Sequence, residues 1–213
     1  MPADTLNICQ VSLARDIPII IENYKRFKKI YKKIKIFIIC PKSQIKQFKT
    51  HLKIKDIKII NEKKIISIKK FKNLFEKLSS KTKYKKKIEK RINWYYQQIL
   101  KISFIIQFIK INKENIIIWD ADTIILKKFD FFKSNKSILY GTFFEFHKPY
   151  YLTNKKILKK QPDYFISFLN QFIAITVKEG IFLSKIFLKK KNYPVSKISY
   201  FVSKTILESI FKQ

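Results

Sequence analysis

Glycine is nearly absent: this chain has two in 213 residues. Glycine is the residue that enters left-handed backbone without steric cost, so Asn and Lys are expected to fill many positive-φ turn positions. Cysteine is as scarce. Cys9 and Cys40 each sit in or close a short apolar run that reads as a buried strand. Neither shows metal-ligand spacing or a disulfide framework, which suits a reducing cytoplasm. No apolar run approaches the roughly 18 residues of a membrane span. The amino terminus lacks the basic-then-apolar layout of a signal peptide. These absences predict a cytoplasmic protein, any membrane contact being peripheral at the inner face.

Arginine is the third scarcity. Among 47 basic residues only Arg15, Arg26 and Arg91 are arginines, against 15 acidic residues, for a net charge of +32. A charge of that size suits a binder of nucleic acid or of anionic lipid. Recognition of phosphates or base edges in a fixed geometry favours the planar fork of Arg, however. The lysines are also spread along the whole chain rather than gathered in one arm. Ile, Phe, Asn and Tyr are inflated with them, so drift of an AT-rich coding sequence is the leading account of the charge. Nucleic acid is the least favoured partner.

What is present alternates between strand-like and helix-like patterns. Leu6 to Ser12 reads as a strand, followed by a helix from about Ile17 to Ile34 with Pro18 in its first turn, where proline is tolerated. Ile20, Tyr24, Phe27, Tyr31 and Ile34 form its buried stripe. Lys35 to Cys40 and Ile57 to Ile60 read as strands around a helix from Pro41 to about Leu52. A longer helical region, about Lys83 to Asn112, carries Ile88, Ile92, Tyr95, Ile99, Ile102, Ile106 and Ile109 on its core face. It feeds Ile116 to Trp119, an uninterrupted apolar run suited to a strand buried on both faces. Beyond Asp122 the pattern turns hairpin-like, with strands over Ile124–Phe132, Ser137–Phe146 and Phe168–Val177. Helices over Gly180–Lys190 and Ser196–Gln213 end the chain. The alternation predicts a single α/β domain whose mostly parallel sheet is flanked by helices. A chain of this length buries roughly 70% of its unfolded surface, enough for a full core.

Asp120 and Asp122 stand out as the one acidic pair separated by a single residue, placed where the apolar strand ends. In α/β sheets ligands bind beyond the carboxyl ends of strands. Hard carboxylate oxygens there suit Mg²⁺ or Mn²⁺ bridging a diphosphate. The bland alternative is an ion-paired turn in a lysine-rich protein. On the preceding helix, Trp94, Gln97, Gln98 and Lys101 share one stripe by i, i+3 and i+4 spacing. That stripe lines a nucleotide site on one reading and is a solvated face with one Trp on the other.

The run Arg91-Ile-Asn-Trp94-Tyr-Tyr-Gln97-Gln98-Ile-Leu-Lys101, followed by Ile118-Trp119-Asp120-Ala121-Asp122-Thr123, resembles the DUF6492 family. Those are bacterial glycosyltransferase-like proteins of GT-A type, with a W-Y-x-Q-Q-x-x-K helix before a W-D-x-D strand. Val11 to Asp16 is similar to the family's first strand and loop. Glu145 to Tyr151 and Ser167 to Gln171 are similar to two later blocks. The resemblance runs from about Leu6 to Leu188. It departs at Phe172, where the family has a histidine, and in lacking a placeable acidic Ser-Glu segment near the end.

The resemblance implies a GT-A-like, Rossmann-type mixed sheet, with a nucleotide-binding part over about 5–125 and an acceptor-side part over about 126–213 that departs most from the family. It implies a metal-dependent glycosyltransferase that moves a sugar from a nucleoside-diphosphate donor, with UDP-sugars favoured, to a surface-glycan or lipid-linked acceptor. Asp120 and Asp122 would serve Mn²⁺ or Mg²⁺. Ser12, Asp16, Trp94, Gln98 and Lys101 would face the nucleotide-sugar, with Asp16 open to a helix N-cap role instead. Glu145 is the first candidate for general base and Asp163 its competitor. His147, in the polar stretch from His147 to Asp163 that reads as a loop, is a ligand or surface residue, and His51 reads as structural. A basic nucleic-acid-binding protein and a GT-A-like homologue without activity are the alternatives. A nucleotidyltransferase would need a Gly-rich phosphate loop after the first strand, and Cys9 to Asp16 contains no glycine.

Overall fold

Residues 5–79, 85–138, 140, 155, 172–189 and 193–211 are described by the computed structural model, the side chains of residues 87 and 88 excepted. The apolar runs become β1 (Leu6–Val11), β2 (Ile34–Cys40), β3 (Ile57–Asn61) and β4 (Ile116–Trp119), mutually parallel. A further strand, β7 (Phe172–Ile175), adds antiparallel to β4 and completes the order β3-β2-β1-β4-β7. Successive side chains on a strand face opposite ways. Ile8, Ile36, Ile38, Ile117 and Trp119 therefore pack with α1 (Ile17–Ile30) and α2 (Ile45–His51). Cys9, Ile39, Ile116 and Ile118 meet the other layer, formed by α3 (Ile68–Ser79), α5 (Ile92–Asn112), α6 (Val177–Phe187) and α7 (Val195–Phe211).

The split follows from crossover handedness. The chain steps outward from β1 to β3 and then returns past β1 to β4. Right-handed crossovers place the connecting helices on one face for the outward steps and on the opposite face for the return. The result is the expected α/β architecture, a Rossmann-like sheet covered on both sides.

The scarcity of glycine is met as its count suggested. Positive φ falls on Lys113 at the end of α5, on Lys189, and on Ser134 and Asn135. The last pair is the two-residue loop of a hairpin between β5 (Phe132–Lys133) and β6 (Lys136–Ser137), a turn that needs positive φ at both positions. Among the described residues no glycine has positive φ. Gly180 instead lies in the first turns of α6, where an added Cβ would come within 2.0 Å of Ile109 Cδ1 on α5.

Several boundaries differ from the sequence reading. The first helix stops at Ile30, because Ile34, Ile36 and Ile38 alternate with lysine or phenylalanine and are taken by β2. The helix α3 lies where no element was expected, although Phe71, Leu74, Phe75 and Leu78 follow helical spacing. The long helix is broken at Lys90–Arg91 into α4 (Lys85–Glu89) and α5. Burial on α5 runs nearly all round, with Leu100, Phe104, Ile105 and Phe108 joining Ile99, Ile106 and Ile109. Ile124 to Phe131 is not a strand: Ile125 N donates to Asn23 Oδ1 and Phe129 N donates to the Tyr31 hydroxyl, so α1 and the residue after it supply the partners a strand neighbour would have. The last two helices begin at Val177 and Val195, the former because Thr176 and Glu179 form a capping box. Most of the expected strand over Ser137–Phe146 lies outside the described residues.

Candidate functional site

At its carboxyl end β1 runs into Ser12, whose amide still bonds Ile39 O at 3.0 Å, and then into a tight turn over Ala14–Asp16. Beside it β4 ends at Trp119, and Thr123 N bonds Asp120 O at 3.1 Å. Asp120 and Asp122 thus share one four-residue turn. The strands pair Ile8 with Ile117 and Cys9 with Ile118. Because the connections leave β1 in one direction and return to β4 on its other side, the two loops flank the topological switch point of the sheet, the usual ligand crevice of such folds.

Strand alternation then decides where the first carboxylate points. Asp120 continues the face of Ile116 and Ile118, toward α5, and its Oδ1 accepts from Lys101 Nζ at 2.5 Å. The Lys101 side chain is 8% exposed and that of Asp120 is 35% exposed. Beneath them Cys9 is enclosed, and burial pushes its thiol up to about 12 although the Lys101 charge pulls the other way. Burial likewise lifts Cys40 to about 11, so both thiols stay protonated and inert. Asp122 is exposed.

The turn is pinned from the other face of the sheet. Trp119 Nε1 donates to Thr123 O at 2.8 Å, and Asn23 Nδ2 on α1 donates to the same oxygen. Asn23 is 1% exposed and also accepts from Ile125 N at 2.9 Å. Phe172, on β7, pairs with Trp119 and stacks on its indole, with centroids 5.0 Å apart and planes at 12°. Phe172 thus backs the last residue of β4, just before the Asp120 turn.

The remaining expected residues divide three ways. Ser12 is buried and its Oγ has no hydrogen-bond partner among the described residues. Asp16 turns inward on its own loop, accepting from Leu13 N at 2.8 Å through Oδ2, with Arg15 Nε 3.7 Å from Oδ1. That is a local cap on the Ala14–Asp16 turn. Trp94 is exposed and Gln98 half-buried, two turns and one turn respectively before Lys101 on the same stripe of α5. Glu145, His147 and Asp163 lie outside the described residues.

Two residues were missed. Gln10, 1% exposed, leaves both amide atoms unpartnered among the described residues, and buried polar groups ordinarily find a partner. Its signal was a polar side chain inside the apolar run Leu6 to Val11. Asn23 had none, since one Asn on a lysine-rich helix is unremarkable until its partner 100 residues away is known.

Among the described residues no group of three His, Cys, Asp or Glu side chains converges on one point. A cation at Asp120 and Asp122 would take two protein carboxylates, a set that suits Mg²⁺ or Mn²⁺ when phosphate and water complete the shell. Two grooves of about 440 and 680 Å³ open at the opposite end of the sheet, one by Leu6 and Asn115, the other by Asn115 and Thr176. Neither contains any of these residues. No described helix is long and apolar enough to cross a membrane.

Comparison with curated proteins and with solved structures returned no match. The sequence profile of one family does match, over residues 11–181, a span holding the Ser12–Asp16 loop, the α5 stripe, the Asp120–Asp122 turn and Phe172. The chain belongs to DUF6492, a family of unknown function.

Proposed function

We propose that this chain is a metal-dependent glycosyltransferase of GT-A type, moving a sugar from a nucleoside-diphosphate donor, UDP-sugars foremost, to a surface-glycan or lipid-linked acceptor. One observation carries the reading: Ser12–Asp16 and Asp120–Asp122, more than 100 positions apart, meet at the carboxyl ends of adjacent parallel strands at the switch point. Open α/β sheets take nucleotides there.

Asp120 and Asp122 would hold Mn²⁺ or Mg²⁺, which when bound supplies Lewis-acid neutralisation of the departing diphosphate. Gln10 and Ser12 carry buried polar atoms without protein partners, a need that a base or ribose meets. Trp94 and Gln98 extend the donor wall along α5. Glu145, with Asp163 as its competitor, is assigned to the acceptor. As the acceptor oxygen bonds the anomeric carbon, the bond from that carbon to the diphosphate breaks. Its electron pair leaves with the diphosphate, and the hydroxyl proton passes to the carboxylate.

Thermal melting against a panel of nucleoside diphosphates and their sugars, with and without Mn²⁺, tests this. A ligand at about a hundred times its Kd stabilises by about 2.7 kcal/mol, a rise of several degrees. One nucleotide is expected to produce that rise only with metal, and Asp120→Asn or Asp122→Asn to abolish it. No shift with any nucleotide, or a shift unchanged in both variants, overturns the assignment.

A further inference from the structure

Lys101 places an ammonium on one of the two carboxylates that a metal would need. It projects from a part of α5 where Leu100, Ser103, Phe104 and Ile105 are all buried. A buried ammonium is costly unless paired, and its partner is Asp120 Oδ1. Asp122, two residues on, is exposed and has no ion pair among the described residues. The turn therefore offers solvent about one uncompensated negative charge instead of two. A lysine also differs here from an arginine: its single Nζ holds one carboxylate oxygen, whereas a guanidinium fork would claim both.

We propose that Lys101 is an internal counter-cation for Asp120, so that a divalent metal is accepted at Asp120 and Asp122 only together with a diphosphate. The proposal rests on the transferase reading above and names how its metal site is controlled. A bare dication would reach Asp120 through Oδ2, with the ammonium on Oδ1, walled in by α5, beside it as a like charge. A diphosphate arriving with the metal removes the conflict. Its negative charge balances both cations, and Nζ, a compact donor, can turn to a phosphate oxygen. A diphosphate arriving alone meets Asp122 uncompensated. Metal and nucleotide thus raise each other's affinity, by the same factor in either order.

Lys101 is a positioning residue on this account, and its removal makes an unusual demand. Loss of a merely structural lysine would weaken metal binding; loss of a counter-cation strengthens it. The experiment is an electron-paramagnetic-resonance titration of Mn²⁺ into wild type, Lys101→Met and Lys101→Gln, with and without UDP, each protein first shown to melt cooperatively. Wild type is expected to bind Mn²⁺ weakly alone and tightly with UDP. Both variants are expected to bind nucleotide-free Mn²⁺ roughly ten- to hundredfold tighter than wild type, the scale on which groups bonded to a metal ligand set affinity. The enhancement by UDP should shrink by a similar factor. Variants with equal or weaker nucleotide-free binding, beside a wild type that binds Mn²⁺ with UDP, overturn the counter-cation and leave the metal site standing. A wild type that binds no Mn²⁺ even with UDP overturns the metal site itself.

Discussion

Asn23 shows how much one side chain can position. From a fully buried place on α1 it donates to Thr123 O and accepts from Ile125 N, fastening the chain just after Asp122. Truncating one partner of buried hydrogen bonds leaves the other groups unsatisfied, at about 1–3 kcal/mol. Asn23→Ala is expected to lose about 2 kcal/mol, roughly 4–8 °C of melting temperature, and to weaken nucleotide binding on the proposed reading. A variant as stable as wild type would mean that Trp119 Nε1 alone holds the turn. The acidic pair was legible in the sequence because it is unusual in so basic a chain. Its partners were not: Lys101 was singled out on the helix stripe, but its contact with Asp120 is one that only the fold creates.

Elements were legible where one period dominates and obscure where two compete. The run Ile116 to Trp119 could be read directly as β4, buried on both faces. Ile34 was ambiguous, because it fits both the helical stripe of α1 and the alternation of β2, and pairing with Leu6 decides for the strand. Ile124 to Phe131 is apolar enough for a strand yet takes its backbone partners from α1 and Tyr31. Between helices, Gly180 lets α6 lie against Ile109 of α5. Gly180→Ala gains about 1 kcal/mol of helix propensity but overpacks this contact, which typically costs 1–3 kcal/mol. Net destabilisation is expected in denaturant unfolding, and Ile109→Val, which removes the colliding Cδ1, should recover most of it in the double variant. No recovery would place the cost elsewhere than at that contact.

For the whole molecule, charge is the dominant global term. With 47 basic and 15 acidic residues, the compact state concentrates like charges, and self-repulsion opposes folding. Ion pairs such as Lys28–Asp56 and Lys85–Glu76 are exposed or half-exposed and contribute little each. Raising salt from about 0.01 M to about 0.1 M contracts the screening length from about 30 to about 10 Å. The melting temperature is expected to rise over that range. A flat or falling curve would show that local pairs outweigh the global repulsion.

Composition and periodicity by themselves determined the α/β class, the two-sided burial of the strands, the replacement of glycine at positive φ and the prominence of Asp120 and Asp122. These are local properties, written in neighbouring residues. The tertiary structure alone decided that Ser12 and Asp120 share one rim, that Asn23 and Trp119 pin the turn, and that Lys101 already occupies one carboxylate. Those pairings depend on strand order and on the face to which each crossover brings its helix, which no local pattern encodes.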